Sequence, residues 1–254
     1  AFVCGIKGKH LTNNEKSFLI KYKPWGVILF SRNIDTIKQT KNLTSSIKKL
    51  FKNNNYPILI DEEGGRVTRL KKFIDSSIFT GKYFGDLYKK NNKKFKIYFN
   101  IYAKQISHLL RILGININTV PVLDLRRFNT HNIIGDRSYS INKKIVSTIG
   151  DICIETFHKN RIATVMKHIP GHGLAKSDSH KKLPIINQKL KYLIKNDFYT
   201  FKNKNSLIAM TGHLLFKNID SNETATHSKR IINLIRNNIG FKNILITDDL
   251  SMKA

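Results

Sequence analysis

The sequence predicts an α/β fold: a parallel sheet whose strands are joined by helical crossovers. Three observations carry that prediction. Short β-branched runs alternate with longer amphipathic segments; the runs are almost continuously apolar, as strands covered on both faces must be; and several end in ionisable side chains. Seven runs qualify: 1–6 (AFVCGI), 25–30 (WGVILF), 57–62 (PILIDE), 117–125 (INTVPVLDL), 162–168 (IATVMKH), 206–213 (SLIAMTGH) and 243–249 (NILITDD).

The segments between them read as helices. Over 36–51, Leu43, Ile47, Leu50 and Phe51 share one face. Over 95–113 the stripe is Tyr98, Tyr102, Ile106, Leu109 and Leu113, with Gly114 just past the end where a left-handed residue is needed. Over 142–159 it is Ile145, Ile149, Ile152 and Phe157. Over 228–239, Ser228 is placed to cap, Ile231, Leu234, Ile235 and Ile239 pack, and Gly240 closes the helix. Seven β-then-α units fit either an open doubly wound sheet or a closed barrel. A barrel has eight strands in roughly 250 residues, so its eighth would lie beyond Ala254. The opening on Ala1 and the stop at SMKA read as a fragment trimmed at both ends. No linker, repeat or composition break divides residues 1–254, so one domain is expected.

Composition narrows the class. With 41% hydrophobic residues the 254-residue chain can fill a sizeable core, and no apolar run approaches the ~18–20 residues of a membrane span. Two cysteines, Cys4 in a strand-like run and Cys153 in a helical one, read as small buried hydrophobes rather than a disulfide or metal framework; a reducing compartment fits them. The net charge of +28 raises a nucleic-acid or anion-binding module as an alternative. Its lysines are instead dispersed among Asn and Ile on polar helix faces, with no basic tail, zinc finger or RNA-binding signature.

Function is signalled at the strand ends. Asp61 and Glu62, Asp124, Lys167 and His168, His213, and Asp248 and Asp249 each close an apolar run. In a β/α barrel those ends converge on one mouth, where active sites sit. The long segment KHIPGHGLAKSDSHKKLP (167–184) follows one of them. Its prolines and glycines exclude the helix that a His-x-x-x-His zinc site requires. Asp178 and His180, two residues apart, can form a carboxylate–imidazole pair for proton transfer, or else a turn cap and an exposed histidine. In DEEGGRVTRL (61–70) two glycines allow close backbone approach while Arg66 and Arg69 can fork onto hydroxyls or carboxylates. GDRSYS (135–140) offers Arg137 in a polar turn.

Taken together, GVILFSRNI, ILIDEEGGRVTRL, INTVPVLDL, IGDRSYS, KHIPGHGLAKSDSHKKLP and GFKNILITDDLSM, in that order, resemble glycoside hydrolase family 3, and within it the single-domain bacterial β-N-acetylglucosaminidases of cytoplasmic peptidoglycan recycling. The resemblance implies a (β/α)₈ TIM barrel, here cut after its seventh strand. It further implies that Asp248 is the nucleophile, that His180 is the general acid/base, and that Asp178 tunes it. Asp61, Arg69, Arg137, Lys167 and His168 would hold the N-acetylglucosamine ring. Glu62 stands where the family usually has Gln, and no role is assigned to it. The glycines beside His172 suggest a loop that closes over substrate. The expected reaction is a double displacement that removes terminal β-linked N-acetylglucosamine from muropeptides with retention. No cofactor or metal, no nucleic acid and no membrane partner is expected, and the protein should be a cytoplasmic monomer. Phosphorolysis in place of hydrolysis, and a broad-specificity β-glycosidase, are the alternatives within the enzyme class.

Overall fold

The computed structural model describes residues 1–128, 130, 132–177 and 182–252. Seven strands form one parallel sheet: β1 (Val3–Gly5), β2 (Gly26–Leu29), β3 (Ile58–Ile60), β4 (Ile117–Asn118), β5 (Ala163–Ile169), β7 (Ile208–Thr211) and β9 (Ile244–Thr247). They lie side by side in chain order, and among the described residues β1 and β9 are its edges. Helices α1 (Asn13–Tyr22), α2 (Ile37–Leu50), α3 (Gly81–Lys90), α4 (Asn92–Ile112), α5 (Lys143–Lys159), α6 (Leu190–Lys195) and α7 (Lys229–Leu234) supply the crossovers. A parallel pair of two-residue strands, β6 (Ile185–Ile186) and β8 (Leu215–Phe216), joins the segments that follow β5 and β7, and nothing in the sequence pattern announced it.

Strand alternation sorts the core into two layers. Val27 and Leu29, Ile58 and Ile60, Met166 and Ala209 point outward and pack under the helices with Leu43, Ile47, Ile106, Leu110, Ile149 and Phe157. The residues between them, Ile28, Leu59, Val165, Ile208, Met210 and Ile246, point inward and line the curl of the sheet with Val3, Trp25, Ile117 and Ala163. This alternation is the layering of a β/α barrel. Each fully buried Leu or Ile in these layers contributes about 1.5–3 kcal/mol.

The helix ends follow their sequence signals. Thr12 caps α1 in a reciprocal box with Glu15, and Ser228 caps α7 through the Ile231 N–H. Gly114 and Gly240 sit at φ +76° and +86° after their helices. Three expectations change. Tyr98 is exposed, because α4 buries Phe95 and Phe99 instead, their rings 6.4 and 4.9 Å from Phe84 of α3. Cys4 is only half-buried, whereas Cys153 is fully so. The ladder of the fourth strand covers just Ile117–Asn118 of the expected 117–125, since Pro121 has no N–H to donate. Beyond the proline the chain rejoins β5, with Leu123 N–H donating to Lys167 O and Lys167 N–H to Pro121 O.

Candidate active site

The same alternation decides which polar side chains enter the mouth. Asp61 and Glu63 continue the inward set of Leu59, Lys167 continues that of Val165, and Asp248 continues that of Ile246. His168 is brought in by a register shift between Lys167 and Ile169. These residues border a cavity of 1110 Å³ that runs from the mouth down past Leu59, Met210 and Ile246.

One half of the mouth is an ion network. Lys167 Nζ lies 3.0 Å from Asp61 Oδ1, 2.6 Å from Glu63 Oε1 and 2.8 Å from Thr119 Oγ1. Arg69 Nη2 meets Asp61 Oδ2 at 3.3 Å, and the Thr119 hydroxyl donates to Asp61. Arg137 forks onto Glu63 with two 2.8 Å bonds and donates a third to Ile133 O. Burial would raise both acids, but the cations outweigh it. Lys167 and Arg69 hold Asp61 well below the usual carboxylate range, while Arg137 and Lys167 bring Glu63 down to about 2. Burial likewise opposes the charge on Lys167, and Asp61 and Glu63 overcome it and raise its pKa.

The other half is built on Asp124, whose carboxylate is fully buried. Its Oδ2 accepts from the His168 backbone N–H at 3.2 Å and lies 2.6 Å from His168 Nδ1, and its Oδ1 accepts from His172 N–H at 2.6 Å. Burial would raise this acid as well, and its contacts with His168 and His172 lower it. A carboxylate that only accepts fixes the proton on Nδ1 and turns Nε2 towards the mouth. There His168 Nε2 stands 4.0 Å from Asp248 Oδ2. Asp248 closes β9, and its Oδ1 accepts from Asp249 N–H at 2.9 Å. The Asp249 carboxylate accepts from the Ser251 N–H and hydroxyl in the following turn.

Of the residues picked out in the sequence, Asp61, Arg69, Arg137, Lys167, His168 and Asp248 are therefore brought to one cavity, while Asp178 and His180 lie outside the described residues. Arg66 is a clasp rather than a free fork: it pairs with Asp136 at 3.1 Å and donates to the carbonyls of Asn132, Ile133 and Ile134. His172 is buried, and burial with the neighbouring His168 lowers its pKa to about 4. The glycines beside it are used for close packing. A Cβ on Gly171 would meet Asp197 Cβ at 3.0 Å, and one on Gly173 would meet Leu125 O at 2.1 Å.

Glu62 faces the opposite way from its neighbours. Its carboxylate accepts from the Thr68 and Ser76 hydroxyls and from the Arg69 and Leu70 N–H groups, at 2.7 to 3.0 Å, so it braces the loop that carries Arg69. Burial raises its pKa despite those four donors. Two residues at the centre of the geometry received no role from the sequence, Glu63 and Asp124. The signal for Glu63 was available, because in an extended DEE run the first and third carboxylates share a face.

The family model for the glycosyl hydrolase family 3 N-terminal domain matches residues 5–254. The chain belongs to that family. The β-hexosaminidase of Neisseria meningitidis serogroup A is 31% identical over 258 residues, covering 98% of this chain and 69% of that one. The β-hexosaminidase of Psychromonas ingrahamii is 30% identical over 256 residues, covering 98% and 74%. The crystal structure of NagZ from Neisseria gonorrhoeae in complex with N-trifluoroacetyl-D-glucosamine superposes with a TM-score of 0.90 at 29% identity, over 98% of this chain and 74% of that one. The chain spans 66% of the length of the Methylobacillus flagellatus β-hexosaminidase. As a family 3 glycoside hydrolase it carries the TIM barrel of that family through its seventh strand, and its curated relatives place it in the β-hexosaminidase branch.

Proposed function

We propose that the protein is a retaining exo-β-N-acetylglucosaminidase that removes terminal N-acetylglucosamine from peptidoglycan-derived muropeptides in the cytoplasm, with Asp248 as nucleophile. The observation that carries this reading is the inward parity of Asp248 with Ile246, which aims its carboxylate into the cavity towards His168. Its Oδ1 is engaged by the loop, so Oδ2 is the atom available to attack. Opposite it, Asp61, Arg69 and Lys167 present charged donors and acceptors in one network, suited to the hydroxyls of a single sugar ring. Arg137 and Glu63 hold that network from behind. A neutral sugar needs such a matched set, since each hydroxyl both donates and accepts.

Asp248 Oδ2 attacks the anomeric carbon as the glycosidic C–O bond breaks, and His180 gives its proton to the leaving oxygen. Water then attacks the glycosyl-enzyme while His180 takes its proton back, and the sugar leaves with retained configuration. Asp178 orients and charge-stabilises His180. His168, fixed by Asp124, points Nε2 towards Asp248. The relative bound to N-trifluoroacetyl-D-glucosamine supports the choice of sugar. Hydrolysis of a chromogenic β-N-acetylglucosaminide by the full-length protein tests the reading, with Asp248→Asn and His180→Ala alongside. Free sugar rather than sugar phosphate is expected in phosphate buffer, and parental rates in both variants would refute the assignment.

A further inference from the structure

The proposed nucleophile is held less by its own contacts than by the peptide that follows it. Asp248 makes two described hydrogen bonds in place: its N–H donates to Thr211 O at 3.0 Å, and its Oδ1 accepts from Asp249 N–H. The rotamer of the carboxylate thus depends on where the Asp249 backbone sits. The other end of that residue is gripped from the neighbouring strand, where His213 Nε2 lies 3.1 Å from Asp249 O. His213 is 4% exposed and stands 36 residues earlier, in the Thr-Gly-His turn that ends β7. Asp249 therefore spans between the carboxylate on its N–H and an imidazole on its C=O.

The tautomer of His213 follows from its partners. A carbonyl can only accept, so Nε2 carries the proton and donates to Asp249 O. In the neutral imidazole Nδ1 then accepts, and the Thr226 hydroxyl 2.9 Å away is placed to donate to it. The Thr226 oxygen is left to accept, and the Thr211 hydroxyl lies 3.0 Å from it and 3.4 Å from Ile246 O, the two acceptors for its one proton.

The same turn also touches the opposite wall. Gly212 has no side chain, and a Cβ there would meet His172 Cδ2 at 3.1 Å and His168 Cβ at 3.3 Å. Thr211 holds the Asp248 N–H, Gly212 seats His168 and His172, and His213 holds the Asp249 carbonyl. Three consecutive residues so set the gap between His168 Nε2 and Asp248 Oδ2. We propose that His213 is a positioning residue for the nucleophile, acting through the Asp249 peptide and fixed in its Nε2–H form by Thr226. The proposal rests on the assignment of Asp248 above.

An activated 5-fluoro-N-acetylglucosaminyl fluoride, which leaves a long-lived glycosyl ester on a carboxylate nucleophile, tests it in the full-length protein. The labelled residue is identified by peptide mass and the labelling rate is measured. The parent should label at Asp248. His213→Phe should label there about 100-fold more slowly, the cost of an ångström-scale misplacement of a reacting atom. Its affinity for N-acetylglucosamine should be unchanged, because Asp61, Arg69 and Lys167 are untouched. His213→Gln, which keeps a donor near the position of Nε2, should recover about tenfold of that loss. Thr226→Val leaves the imidazole but frees its tautomer, and should fall between the two; it gives the same reading if His213→Phe does not fold. Labelling of Asp248 at the parental rate in His213→Phe or, should that variant not fold, in Thr226→Val, or a Gln variant no faster than the Phe variant, would overturn the role of His213 alone. A label on any other residue would overturn the nucleophile assignment and this inference together.

Discussion

Strands β5 and β9 both deliver reactive side chains to the mouth, yet they do so under opposite conditions. β5 is flanked by β4 and β7, is buried along nearly its whole length, and its Lys167 and His168 side chains are 3% and 7% exposed. Each has its partners already in place. Among the described residues β9 pairs with β7, and the Asp248 carboxylate, 19% exposed, accepts one hydrogen bond, from the Asp249 N–H. The difference teaches that the β5 half of the site is prebuilt from buried ion pairs and hydrogen bonds, while the proposed nucleophile depends on the turn that follows it and on β7. Preorganised charge is worth most where water is excluded, so substitutions in the two halves should differ in kind.

The largest expected effect lies on β9. Asp248→Asn keeps the size of the side chain and removes its nucleophilicity, so kcat should fall by at least about 10⁴-fold. KM should be little changed, because the β5 half is intact; a loss confined to KM would break the comparison. Next is Asp124→Asn, which removes the charge that holds His168 in one tautomer. A loss of about 10- to 100-fold in kcat/KM is expected, of the size seen when a group orienting a reactive histidine is lost, and steady-state kinetics at several pH values measures it.

Much of this arrangement was legible in the sequence because it follows from alternation. Continuous apolar runs marked the strands, and the ionisable residues that end five of the seven marked the mouth. Glu63 and Asp124 were not given roles because their partners, Arg137 and His168, lie 74 and 44 residues away and only the fold brings them together. The β6–β8 pair went unseen for the same reason, since two residues per strand leave no period to read. Tyr98 was misplaced because a heptad-like spacing does not say which of two adjacent aromatic stripes a neighbouring helix will cover. The pairing of Asp178 with His180 falls outside the described residues.

Smaller effects sharpen the contrast between adjacent acids. Glu63→Gln weakens the hold on Arg137 and Lys167, and KM should rise by about tenfold, the cost of one charge-assisted hydrogen bond in binding. The pH dependence has a definite sign. The folded pKa of Glu63, about 2, lies below its ordinary value near 4.5, so its charge stabilises the fold above pH 4.5 and that stabilisation is lost as pH falls towards 2. The melting temperature of Glu63→Gln should therefore lie below that of the parent at pH 7, with the gap narrowing in acid. Glu62 behaves in reverse. Its folded pKa is raised, so its contribution is fully present below pH 4.5 and is lost as pH rises through the folded value. Glu62→Gln should melt about 2 °C higher than the parent at pH 7 and no higher at pH 4. Thermal unfolding of the two variants across that range separates a network acid from a loop brace.

The central claim is that Asp248, aimed inward from β9, forms the covalent bond to the sugar. Removing its side chain and supplying a small external nucleophile tests this most directly. Asp248→Ala in the full-length protein, given an activated aryl β-N-acetylglucosaminide and sodium azide, should regain turnover and release the α-glycosyl azide, because azide then attacks from the face that the carboxylate occupied. Formation of the β-azide, or parental hydrolysis without azide, would contradict the account.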